Sequence, residues 1–123
     1  MKTTPIDKQT VDWYDQVCQH LDILCNAVQN VQNEPEIPPP VTLFKLVKDD
    51  IQNIRRLSGF PTIETPGVWL GPDGQIGLTF ENDTDCLDLI FRSEKLVSRL
   101  TVGEMTTAID KNDIPAALLR FSI

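Results

Sequence analysis

Residues 68–81 carry the tightest local constraint in the chain. Val68-Trp69-Leu70 and the run from Gln75 to Glu81 flank Gly71-Pro72-Asp73-Gly74. Proline presets φ at the second position of such a turn, and Asp-Gly behind it accommodates the reversal. On the returning run Ile76, Leu78 and Phe80 share one face, while Gln75, Gly77, Thr79 and Glu81 share the other. That alternation belongs to a strand with one dry and one wet side. A helix cannot satisfy a period of two, so this stretch predicts an antiparallel hairpin.

The same period continues downstream. After the polar turn Asn82-Asp83-Thr84-Asp85, residues Leu87, Leu89 and Phe91 alternate with Cys86, Asp88 and Ile90. Ser93-Glu94-Lys95 turns the chain into a fourth strand, where Leu96, Leu100 and Val102 alternate with Val97, Arg99 and Thr101. Met105 to Ile109 reads as a fifth, shorter strand. A terminal helix follows from about Ile114, with Asn112 or Asp113 as cap, Pro115 in its first turn, and Ile114, Leu118 and Phe121 along one side.

Upstream the period is helical. Residues 5–32 predict a long amphipathic helix capped by Thr4, with Pro5 at its first position and Asp7 at its positive end. Val11, Tyr14, Cys18, Leu21, Cys25 and Val28 form the main stripe, widened by Val17, Leu24 and Val31, with Trp13 off the seam. Residues 33–40, NEPEIPPP, predict a stiff proline linker. A second helix spans 42–57. Leu43, Val47, Ile51 and Ile54 line its apolar face, joined by Phe44 and Leu57, and Gly59 closes it. The whole of 1–123 therefore predicts one α+β domain: two N-terminal helices, an antiparallel meander of four to five strands over 41–123 together with the second helix, and one C-terminal helix.

Charge narrows the choice of partner. The net charge of −7 divides into −4 over residues 1–40, +2 over 41–59 and −5 over the rest. Phosphate backbones reward clustered Lys and Arg, so this balance argues against nucleic acid and against anionic membranes. Three cysteines without paired spacing argue against a disulfide framework or a zinc site. The N-terminal MKTTPIDKQT has no apolar run, and a cytoplasmic location with free thiols is expected.

A search for chemistry returns ordinary readings. His20, the only histidine, lies on the first helix with no nucleophile paired to it by pattern. Cys18 and Cys25 fit small buried apolar positions. Cys86 begins a strand beside Asp85 and Asp88, which disfavours a thiolate. Glu81, Asp83, Asp85 and Asp88 lack the glycine of a calcium loop and read as a solvated turn. No cofactor, no metal and no catalysis are expected.

The segment 68–91, with its Pro72-Asp73-Gly74-Gln75-Ile76-Gly77-Leu78-Thr79-Phe80 hairpin, resembles a motif of small uncharacterised bacterial proteins, loosely P-D-G-x-I-x-L-x-[WF]. Phe80 stands where tryptophan is frequent. The resemblance implies a bacterial accessory protein, antitoxin-like or defence-associated, without catalysis.

The reading is a non-catalytic module, antitoxin-like or immunity-like, that works by binding another protein or itself. Its expected contact residues are Trp13, Tyr14, Leu21, Trp69 and Thr79, with residues 11–31 as the route to a homodimer. Trp69, whose partners across the hairpin are polar, is either covered by a helix or an exposed aromatic anchor, with the first slightly favoured. One alternative is a small enzyme or ligand binder with a pocket between sheet and helices. A second is a nucleic-acid regulator using a basic patch of Lys45, Lys48, Arg55 and Arg56.

Overall fold

The computed structural model describes residues 12–30, 38–93 and 95–123. Helix α1 is Trp13–Asn30 and α2 is Val41–Leu57. The strands are β1 Gly67–Gly71, β2 Gln75–Glu81, β3 Asp85–Arg92, β4 Lys95–Val102 and β5 Met105–Ala108. A short helix, α3, occupies Ile114–Leu118 and tightens into a 3₁₀ turn at Leu119–Phe121. This is the expected α+β arrangement. The expected caps at Thr4, Pro5 and Asp7, the stripe positions Val11 and Val31, and most of the proline linker lie outside the described residues.

Five strands pair in chain order, each antiparallel to the next. Leu78 sits opposite Val68 on β1 and Leu89 on β3; Leu87 faces Leu100 on β4. Register thus stacks Ile76, Leu78, Phe80, Leu87, Leu89 and Phe91 on one side. The helices lie on that side, with Ile76, Leu78, Phe80, Leu87, Leu89 and Phe91 fully buried beneath them.

The first helix meets the sheet through a different stripe from the one expected. Trp13, Val17 and Leu21, spaced i, i+4, i+8, are buried, whereas Tyr14, Cys18, Cys25 and Val28 are half-buried at its flank. Trp13, placed off the seam by spacing, stands edge-on to Phe80 with centroids 5.4 Å apart. Phe80 in turn meets Phe121 at 6.3 Å. The large indole fills the gap between helix and sheet, and the helix is rotated accordingly. Trp13 and Leu21 are therefore core residues and not contacts for a partner. Trp13, Val17 and Leu21 of the 11–31 stripe thus serve the chain's own core.

Helix α2 buries Leu43, Phe44, Val47, Ile51 and Ile54. Leu57 is 59% exposed, off the face it was expected to join. Gly59 adopts φ +84°, and its N–H bonds the Arg56 carbonyl, as a helix-closing glycine should. Of the proline stretch, Pro39 is buried and Pro40, at φ −69° and ψ 154°, leads into α2; this end packs as well as spacing. Among the described residues no helix is long and apolar enough to cross a membrane.

Leu21 has no exposed surface. Leu21→Ala should lower stability by about 2–5 kcal/mol through lost burial and the cavity left behind, measured by urea denaturation.

Candidate recognition surface

The two long helices and α3 lie on one side of the sheet, so the alternate positions of all five strands look the other way. Four cross-strand rows can be followed. Gln75, Arg92 and Lys95 form the first; Trp69, Gly77, Ile90 and Val97 the second; Thr79, Asp88, Arg99 and Ala108 the third; Glu81, Cys86, Thr101 and Thr106 the fourth. Among the described residues no helix covers these rows. Trp69, expected either beneath a helix or as an open aromatic anchor, lies on this open side.

What covers part of Trp69 is a glycine. A Cβ built on Gly77 would fall inside the indole, 2.6 Å from Cδ2 and closer still to Cε2 and Cζ2. The ring therefore lies flat across the backbone of the neighbouring strand, a pairing that compensates for glycine's missing side chain. Hydrogen bonds hold it there. Trp69 Nε1 donates to Thr79 Oγ1 at 2.9 Å, and that hydroxyl donates to Asp88 Oδ1 at 2.8 Å. The relay crosses three strands and uses one hydroxyl in both directions. One π-face is seated on the sheet, which leaves the other turned outward.

Around the indole the surface is mixed. Ile90 is half-buried and Val97 is 41% exposed, which extends the apolar band across β3 and β4. Arg92 and Lys95 flank it at one end of the strands, and Glu81 at the other. With its amide oxygen turned toward Arg92, Gln75 accepts from Nε at 3.2 Å. Burial pushes the Cys86 thiol up, and the Asp88 and Glu81 carboxylates push it further. Its S–H points to Asp88 at 3.9 Å.

The basic patch does not assemble. Lys48 pairs with Asp22 and Arg55 with Asp12, both across the α1–α2 interface. Arg55 also lies over the Phe60 and Tyr14 rings, 4.6 and 5.5 Å from their centroids. Tyr14, an expected contact residue, donates its hydroxyl to the Lys48 carbonyl at 3.2 Å and helps to lock the same interface. Burial, then Cys18, holds its phenol above the ordinary range. Lys45 and Arg56 remain exposed, about 16 Å apart along the helix axis by their separation. Two of four charges are thus spent on joining helices.

His20 is exposed. Among the described residues no three His, Cys, Asp or Glu side chains gather as a metal site. The surface depressions are open ones. One of about 350 Å³ is lined by Asn53, Arg55, Arg56 and Phe60, and another of about 490 Å³ by Pro40, Thr42, Leu43, Leu46 and Ser93. The second lies at the rim of the helix layer, between the start of α2 and the β3–β4 turn. The acidic turn is tied down by Arg120, whose Nη1 bonds Asp85 at 3.0 Å, while Asn82 Oδ1 accepts from the Thr84 and Asp85 amides.

Of the expected contact residues, Trp69 and Thr79 come together on the open face, while Trp13, Tyr14 and Leu21 gather on the helix side. Gly77, Asp88, Ile90 and Val97 join the first two without having been singled out. Comparison with protein families, curated proteins and solved structures finds no match to the chain.

Gly77→Ala should lift the indole from the sheet. The expected result is a shifted Trp69 indole N–H resonance and a stability loss of about 1–3 kcal/mol. Asp88→Asn should lower the Cys86 pKa by removing a neighbouring negative charge. Cys86 should then react faster with a thiol reagent at pH 8, followed by peptide mapping to separate it from Cys18 and Cys25.

Proposed function

We propose that this protein is a binding module whose recognition surface is the open sheet face centred on Trp69. A single observation carries the reading: a rigidly held indole, continued by Ile90 and Val97, lies on a sheet side that no described helix covers. Apolar bands of this kind, rimmed by charge, are characteristic of contact surfaces on soluble proteins. An aromatic ring fixed before binding loses little rotamer freedom when a partner arrives, which suits it to be an anchor. The relay through Thr79 and Asp88 provides that fixation.

The reading extends to a small accessory protein, antitoxin-like or immunity-like, that acts by occupying another protein. Support comes from the surface and from the hairpin resemblance around Pro72-Asp73-Gly74. An enzyme with its pocket between sheet and helices has less to draw on, since that space is filled by Trp13, Phe80, Phe44 and their neighbours.

A photo-crosslinking amino acid placed at position 97 of the chain in its native cells tests the proposal. Adducts should form at position 97 and not at position 52, on the exposed outer side of α2. Trp69→Ala should reduce the position-97 adduct about tenfold or more, in keeping with loss of an anchoring aromatic. Equal labelling at both positions, or none at 97, would overturn it.

A further inference from the structure

We infer that the occupant of the open sheet face is a second copy of this chain, packed face to face about a two-fold axis perpendicular to the strands. The inference rests on the reading of that face as a recognition surface and names what it binds.

Charge is the first argument. The face holds Arg92, Lys95 and Arg99 against Glu81 and Asp88, a balance of +1, which leaves −8 on the remainder of the chain. Two copies repel least when they meet through this side. The charges are also graded along the strands. Arg92 and Lys95 stand at one end and Glu81 at the other, with the Trp69–Ile90–Val97 band between.

That gradient selects the symmetry. Two identical sheets can face each other about an axis parallel to the strands or about one perpendicular to them. The parallel axis lays each row on the same row of its partner, with Arg92 and Lys95 over Arg92 and Lys95. The perpendicular axis exchanges the two ends, so the row of Gln75, Arg92 and Lys95 lies over the partner's row of Glu81, Cys86 and Thr101, which brings the basic pair to the partner's acidic end. Each basic end then meets an acidic one twice, as an isologous contact requires.

Area is the second argument. The strands, of 5, 7, 8, 8 and 4 residues, at about 4.8 Å spacing and about 3.4 Å rise give a flat footprint of roughly 520 Å² per copy. A standard interface buries about 800 Å² per partner, and side-chain relief adds to a flat footprint. Aligned packing of twisted sheets is the ordinary way to bury a sheet face of this size. The main competing surface is the edge strand β5, where Met105 is 72% exposed. It presents four residues, and short edges of that kind resist pairing.

Sedimentation equilibrium of the full chain, from low to high micromolar concentration, provides the test. The wild type should show a monomer–dimer equilibrium. Val97→Glu, Glu81→Lys and the double variant Arg92→Glu/Lys95→Glu should each weaken it about tenfold or more, with unchanged thermal melts because all four positions are exposed. Mixing Glu81→Lys with the double variant should restore a heterodimer, an outcome that misfolding could not produce. A wild-type monomer at every concentration would overturn the inference. So would a dimer indifferent to Val97→Glu, which would place the contact at β5. The position-97 crosslink separates the two readings. An adduct with a second copy supports both. An adduct with a different protein keeps the recognition surface and removes the dimer, and one with residues 1–11 of the same chain removes both.

Discussion

The alternation of β2 and β3 governs the molecule. Ile76, Leu78, Phe80, Leu87, Leu89 and Phe91 all emerge on one side, and no arrangement of a five-stranded sheet can leave six such side chains in water. Helices α1 and α2 are recruited to that side, one bringing Trp13, Val17 and Leu21 and the other Phe44, Val47 and Ile51. Among the described residues the one further α-helix is the five residues of α3, and it joins the same layer through Ile114 and Leu118. Nothing of comparable size is left among the described residues for the second side. The open face follows from how the helical material is spent.

On that open face the chain substitutes local devices for a covering layer. Trp69 spreads over Gly77, Thr79 satisfies the indole N–H, and Asp88 satisfies Thr79. Each polar group has its partner within the sheet, so the surface is ordered before anything docks on it. The same economy operates between the helices. Asp12, Asp22, Tyr14, Lys48 and Arg55 turn what would be a basic stripe into a seam. The Lys48–Asp22 pair, with Asp22 open to solvent, adds little stability, while Arg55–Asp12 is partly buried. Their larger consequence is to withdraw charge from the surface.

The strands were legible in the sequence to within a residue or two, because a period of two fixes which residues share a face and turn residues fix where each run ends. Gly59 was legible for a similar reason, since few residues tolerate its backbone angle. The orientation of α1 was not. Tyr14, Val17, Cys18, Leu21, Leu24 and Cys25 make a stripe so broad that several phases fit it, and the bulk of Trp13 decides among them only once Phe80 stands opposite. The basic patch failed for a different reason. Helical spacing shows Lys48 and Arg55 on a common side, but Asp22 and Asp12, which neutralise them, come from another helix. The open face was half visible. Spacing placed Gly77, Thr79, Asp88 and Ile90 on the wet sides of their strands, while the register that gathers them into rows around Trp69 depends on turn geometry.

Ser98 shows how far one hydroxyl can reach. It is a polar side chain buried on the helix-facing side of β4, opposite Leu89. Its Oγ donates to the Ile109 carbonyl at 2.9 Å, and its own carbonyl accepts from the Ile109 amide at 3.0 Å. Both backbone groups of Ile109 are thereby engaged one residue beyond the end of β5. The chain leaves the sheet from a clamped position, and the clamp sets the direction in which Asp110 and the turn after it return toward the helices. A valine in place of Ser98 would suit the strand and its apolar neighbours, yet it would take away one of the two bonds at that exit and leave the Ile109 carbonyl without its hydroxyl partner.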